Sequence, residues 1–207
     1  MASSTFINVF LICCLFFISS SSIAQSTTRS TTKGLILRVS KDPSTLQYTT
    51  EIKQRTPLVT VKLIVDLGGR YLWVNCDEGY TTSTYRAARC KSAQCSLAKS
   101  MDCMTVCYSH PAIATPACSN ITCTLWPENT YVGITQMGTL GSDALSILSA
   151  AGGAPVSISQ FLFVCGSTSL LGKLASGVTG SAGLGRTQVS MPTQLSSAFK
   201  LEKKFGM

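Results

Sequence analysis

The chain has 207 residues, 45% of them hydrophobic and 13% charged, with 17 Lys+Arg against 9 Asp+Glu, ten Cys and a single His. That composition excludes an intrinsically disordered chain, which stays unfolded because it cannot bury enough apolar surface. One His leaves little scope for Ser-His or Cys-His catalysis, and a formal net charge of +8 points to solubility or to acidic partners.

Residues 6–18 form an apolar run broken only by Asn8, followed by small residues up to Ala24. The run is too short to cross a bilayer as a helix but fits the core of a secretory signal. The expectation is a signal peptide over residues 1–24, a Ser/Thr-rich leader over 25–33, and a folded unit over 34–207, with no membrane attachment once the signal is removed. Cleavage would remove Cys13 and Cys14 and no charge, leaving eight of the ten Cys and the full +8. In an oxidising compartment eight thiols read as four disulfides among Cys76, Cys90, Cys95, Cys103, Cys107, Cys118, Cys123 and Cys165, in a pairing the spacing leaves open. Asn120-Ile121-Thr122 is an N-glycosylation acceptor.

Beta signals follow in chain order. Residues 34–39 and 46–52 are short and β-prone, and Lys41-Asp42-Pro43-Ser44 between them has turn chemistry. Residues 58–66 are almost continuously apolar and branched, which predicts a strand buried on both faces. Leu67-Gly68-Gly69 cuts that strand and a second runs over 71–76, so the acid Asp66 sits at the tip of a sharp turn. An isolated buried carboxylate is costly, so Asp66 is either hydrogen-bonded or shares a proton with a partner.

Residues 76–127 hold seven of the eight remaining Cys in a loop-rich stretch that needs covalent staples. Zinc is compatible with the Cys spacing, but export favours disulfides, and neither metal nor cofactor is expected. His110, beside Pro111, reads as a solvated loop residue. Residues 144–172 carry no charge, yet Gly152, Gly153 and Pro155 interrupt them, so two strands around a Gly-Gly-Ala-Pro turn are predicted. Ser190 and Pro192 mark a helix start. The basic residues form no dense stripe with interleaved aromatics, and residues 177–185 lack the Lys-Ser/Thr of a phosphate loop, which argues against nucleic-acid and nucleotide partners.

Val65-Asp66-Leu67-Gly68-Gly69-Arg70-Tyr71-Leu72-Trp73-Val74 resembles the Asp-Thr-Gly-Ser loop and following Leu-Trp-Val strand of pepsin-like aspartic proteases. Residues 177–186 and 191–195 resemble that fold's later apolar-Gly segment and helix. The Asp-Leu-Gly-Gly version, the Cys-rich insertion and Ser159-Gln160-Phe161-Leu162-Phe163-Val164-Cys165 are similar to the plant subgroup of extracellular dermal glycoproteins, xyloglucanase and xylanase inhibitors, and basic γ-conglutin-like seed globulins.

The resemblance implies a mainly β, disulfide-rich N-terminal lobe of a two-lobed architecture, secreted and non-catalytic. It implies binding and inhibition of microbial cell-wall glycoside hydrolases, with Arg70, Arg86 and Arg89 as candidate contacts and cell-wall polysaccharide as another partner. Aspartic proteolysis needs two carboxylates sharing one proton, and Asp66, matching the family's first catalytic Asp, supplies one. Leu67 and Gly69 replace the loop's hydroxyl residues, so the expectation is a carboxylate held by the N–H groups of Gly68 and Gly69. Tyr131 is the candidate flap residue. An aspartic endopeptidase and a seed storage or peptide-binding globulin are the alternative functions.

Overall fold

The first turn forms because one side chain replaces water for several backbone donors. In the computed structural model, which describes residues 34–105 and 121–206, Asp42 Oδ1 accepts hydrogen bonds from the N–H groups of Ser44 (3.2 Å) and Thr45 (2.8 Å) and from Thr45 Oγ1 (2.8 Å). These bonds, led by the Thr45 N–H, hold the Asp42 carboxyl below its ordinary pKa. The turn joins β2 (Val39–Lys41) to β3 (Tyr48–Gln54), with β1 (Leu35–Ile36) before it. β4 (Val59–Asp66) pairs antiparallel with β3, and β5 (Trp73–Asn75) follows the Asp66 turn.

The Cys-rich stretch contributes only short pieces: β6 (Arg86–Ala87), α1 (Ala93–Leu97), β7 (Cys103–Thr105), β8 (Ile121–Leu125), β9 (Glu128–Asn129) and β10 (Ile134–Thr135). The uncharged region folds into the expected hairpin of β11 (Gly138–Ser149) and β12 (Pro155–Gly166), turning through Gly152 and Gly153 at φ 76° and 70°. Those backbone angles are ones that glycine adopts without steric cost. A 3-10 helix (Thr168–Leu171), β13 (Gly180–Gly183) and α2 (Met191–Phe199) complete the described chain. Ser190 sits at the α2 N-cap position as expected, but its hydroxyl donates to Thr187 O (2.9 Å).

Eleven strands form one sheet in the order β2-β3-β4-β13-β5-β12-β11-β8-β7, and β11 also pairs with β1, β3 and β6. Because β3 pairs with both β4 and β11, the sheet returns on itself around a core. β12 shows the two-residue period of a strand with an apolar layer on each face. Phe161, Phe163 and Cys165 join one cluster with Val61, Leu63, Leu72 and Val74, while Leu162 and Val164 join a second with Trp73, Leu125 and Leu140. Each fully buried Phe or Leu of this kind contributes roughly 1.5–3 kcal/mol.

The prediction for residues 58–66 needs correction at its start: Leu58 and Val59 are 48% and 40% exposed. The cause is topological, since β4 meets β13 only over Ile64–Asp66 and its earlier half pairs with β3 alone. Among the described residues no helix is long and apolar enough to cross a membrane.

Candidate functional site

Asp66 ends β4 and faces Gly183 of β13 in the parallel ladder. β13 threads between β4 and β5 and pairs antiparallel with β5 through Gly180 and Ser181. At the two ends of β13 this threading requires residues without side chains. A Cβ on Gly180 would lie 2.1 Å from Trp73 O, and one on Gly183 would lie 2.2 Å from Tyr71 O. The Asp66 carbonyl accepts from Leu184 N–H (2.8 Å) and Gly69 N–H (3.2 Å), and Gly69 O accepts from Gly185 N–H (2.9 Å).

The Asp66 carboxylate itself accepts from Gly68 N–H at 3.0 Å. That half of the expectation holds, whereas the Gly69 N–H serves the Asp66 carbonyl instead of the carboxylate. The reason is local: Gly69 closes the turn onto the main chain, and any Cβ there would lie 2.9 Å from the Asp66 Cγ and Oδ2. Leu67 is exposed and offers no hydroxyl.

Tyr131 lies in the turn of the β9–β10 hairpin and is half exposed. Its N–H donates to Asn129 Oδ1 (2.9 Å), while the buried Asn129 amide donates to Leu170 O and Gly172 O, both at 2.8 Å, tying the hairpin base to the 3-10 helix. Before the hairpin, Trp126 Nε1 donates to Asp102 Oδ2 (3.1 Å). Tyr71, in the Asp66 loop, is hydrogen-bonded to the Trp126 backbone, and burial pushes its phenol up to about 12.

The three candidate arginines are all exposed, and the structure places them on two segments. Arg70 lies on the Asp66 loop, where its carbonyl accepts from Thr187 Oγ1. Arg86 opens β6 and its Nη1 donates to Tyr85 O (2.8 Å), and Arg89 forms an isolated bridge with Thr122. Among the described residues no hydrogen bond or ion pair joins Arg70 to the other two. The cysteines pair as Cys76–Cys165, Cys90–Cys103 and Cys95–Cys123. Cys107, Cys118, His110 and Asn120 lie outside the described residues. Among the described residues no group of three or more His, Cys, Asp or Glu could hold a metal.

A model of the xylanase inhibitor N-terminal family matches residues 48–207. The chain belongs to that family. Its fold is mainly β, with three disulfides among the described residues. Among relatives similar to this xylanase-inhibitor-type chain, the probable aspartic proteinase GIP2 of Nicotiana benthamiana is 52% identical over 210 residues, covering 100% of this chain and 47% of the relative. Basic 7S globulin 2 of Glycine max is 40% identical over 200 residues, covering 92% and 45%. The crystal structure of EDGP matches with a TM-score of 0.76 and 48% identity over 82% of this chain and 41% of that one. The chain spans about half the length of the curated relatives it matches.

One buried cluster escaped sequence reasoning. Asp143 is 0% exposed and accepts from Tyr80 Oη (2.8 Å), Thr82 Oγ1 (3.3 Å), Thr84 Oγ1 and Ala144 N–H (2.7 Å). Arg55 lies over the Tyr80 ring, 4.3 Å from its centroid, and donates to Gly79 O (2.7 Å). Burial, then the Asp143 charge, raises the Tyr80 pKa, and burial lowers that of Arg55. The sequence marks Asp143 as a lone acid heading an uncharged run, but Tyr80-Thr81-Thr82-Ser83-Thr84-Tyr85 is one of several hydroxyl-rich segments upstream, and its pairing with Asp143 is set by the fold. A groove of about 490 Å³ lies elsewhere, lined by Gln94, Ile158, Gln160, Gln194 and Leu201 among others, and Asp66 is not part of it.

Proposed function

We propose that this is a secreted, extracellular protein that binds and inhibits microbial cell-wall glycoside hydrolases, xyloglucanases or xylanases, without proteolytic activity of its own. Membership of the xylanase inhibitor N-terminal family carries the reading. The Asp66 loop supports it. Its carboxylate has a backbone N–H from Gly68 in place of a hydroxyl from residue 67 or 69, and a second carboxylate sharing a proton is what aspartic proteolysis requires. Glycoside hydrolases flank the scissile bond with a pair of carboxylates. Exposed Arg70, Arg86 and Arg89 suit such a cleft, because a guanidinium binds a carboxylate through two parallel N–H donors.

The relative named a probable aspartic proteinase, 52% identical, favours the endopeptidase as second reading. One titration separates the two. The secreted protein, purified in its native oxidised form, is added to a xyloglucan-specific endoglucanase and to a xylanase, and in parallel to a peptide substrate at acid pH with and without pepstatin. Stoichiometric loss of glycosidase activity with no peptide cleavage is expected. Pepstatin-sensitive cleavage that disappears in Asp66→Ala, with glycosidase activity intact at molar excess, would establish the endopeptidase instead.

A further inference from the structure

Nine residues lie between Cys76 and Arg86 and none of them belongs to a strand or helix, so something other than a ladder must set where Arg86 emerges. The start of the segment is tied down. Cys76 is bridged to Cys165, Asp77 N–H donates to Asn75 Oδ1 (3.0 Å), and Asp77 Oδ2 accepts from Thr168 N–H (2.8 Å). Its later half converges on one carboxylate. Tyr80, Thr82 and Thr84 each present a hydroxyl to Asp143, and Thr84 Oγ1 also lies 2.8 Å from Thr56 Oγ1. The rings reinforce this: Tyr80 stacks on Phe163 at 5.7 Å, and Tyr85 packs edge-on against both at 6.0 Å.

The next residues enter the sheet beside that carboxylate. Arg86 pairs with Ser142 and Ala87 with Gly141, directly preceding Asp143 on β11, and Ala88 N–H donates to Leu140 O (2.9 Å). Gly141 leaves room for the Tyr85 ring, which a Cβ there would meet at 2.4 Å. Asp143 therefore sits at the point where an irregular segment is handed to its ladder, and an ionised carboxylate is the one small side chain that accepts from four donors at once. An amide in its place would turn a donor toward the Tyr80 hydroxyl while its oxygen kept Thr82, Thr84 and the Ala144 N–H, or, flipped, toward the two threonine hydroxyls and that N–H.

We infer that Asp143 is a positioning residue: its buried carboxylate, through Tyr80, Thr82 and Thr84, fixes the segment that presents Arg86 and Arg89 to an acidic protein partner. The role of the arginines rests on the inhibitory reading above. The anchoring can be measured without it.

Two measurements on the native oxidised protein test the inference, using Asp143→Asn and, where that variant folds poorly, Thr84→Val and Tyr80→Phe, each compared at temperatures well below its own melting point. The first is trypsin nicking of the free protein after Arg86 and Arg89. An increase of about tenfold at these bonds, with nicking elsewhere unchanged, is expected from losing a hydrogen bond to a charged group. The second is the inhibition constant against the glycoside hydrolase that the wild type inhibits. A rise of about tenfold is expected that disappears when the same substitution is made in an Arg86→Ala/Arg89→Ala background, a coupling that a general loss of stability does not produce. Unchanged nicking at Arg86 and Arg89, or weakening of inhibition that simply adds to that of the arginine variant, overturns the inference. Raised nicking in a protein whose wild type inhibits no hydrolase supports the anchoring and refutes the inhibitory reading alone.

Discussion

Substituting Gly69 puts a side chain where the pepsin-like loop carries its hydroxyl, and in this fold the backbone has no room for it. A Cβ at residue 69 would lie 2.7 Å from Gly183 Cα and 2.9 Å from the Asp66 carboxyl carbon, well inside the ~3.5–4.0 Å of a comfortable carbon contact. Neither neighbour can retreat cheaply. Gly183 is laddered to Asp66 and lies against the Tyr71 backbone on its other side, and Asp66 is held by Gly68 N–H. Overpacking of this kind costs about 1–3 kcal/mol. For a folded unit of this size that lowers the melting temperature by roughly 2–12 °C, taking about 2–4 °C per kcal/mol. Gly68→Ala is the matched control, since a Cβ there meets only Asp66 Oδ1, at 3.8 Å. It should cost under about 0.5 kcal/mol. Thermal melts of the oxidised Gly69→Ala, Gly69→Ser and Gly68→Ala proteins by circular dichroism decide the matter, and neither Gly69 variant is expected to gain peptidase activity. If Gly69→Ala melts within about 1 °C of wild type, or Gly68→Ala falls as far, the crowding argument is wrong.

Alkali should unfold the protein through its buried phenols. Burial holds Tyr71 up to about 12 and raises Tyr80 as well. Between pH ~10 and ~12 the unfolded chain releases the Tyr71 proton while the folded chain keeps it, so stability present below pH 10 drains away as pH rises, by roughly 2–3 kcal/mol in all. Phenolate absorbance and circular dichroism should therefore change together for these two tyrosines, and Tyr71→Phe should weaken the effect. Ionisation of all six tyrosines near pH 10 with the fold intact would contradict it. The bridges should rank by the loop they close. Removing Cys76–Cys165, separated by 89 residues, should cost about 4.5 kcal/mol, against about 3 for Cys90–Cys103, separated by 13. Double Cys→Ser variants compared by denaturant titration check the order, and a reversed ranking would show that native-state effects outweigh chain entropy here.

Features set by neighbours along the chain were legible in advance. The Asp42 turn, the Gly152-Gly153 hairpin, the Ser190 helix start and the acid at the tip of the Asp66 turn each depend on a few adjacent residues whose backbone preferences and hydrogen-bonding groups are visible in the sequence. The family resemblance was legible for the same reason, because it rests on contiguous motifs. Features that depend on which distant strands lie side by side could be read only from the tertiary structure. Eight cysteines did not specify their partners, and Cys95 meets Cys123 because α1 and β8 are brought together by the fold. Leu58 and Val59 looked like core and are exposed, since β13 covers only the far end of β4. Asp143 and Tyr80 are 63 positions apart, and nothing local in either segment says that they touch. Local sequence encodes turns and strand faces because those energies are short-ranged. A buried carboxylate finds its donors only once sheet topology has set the register, and that long-range placement is what aims Arg86 outward.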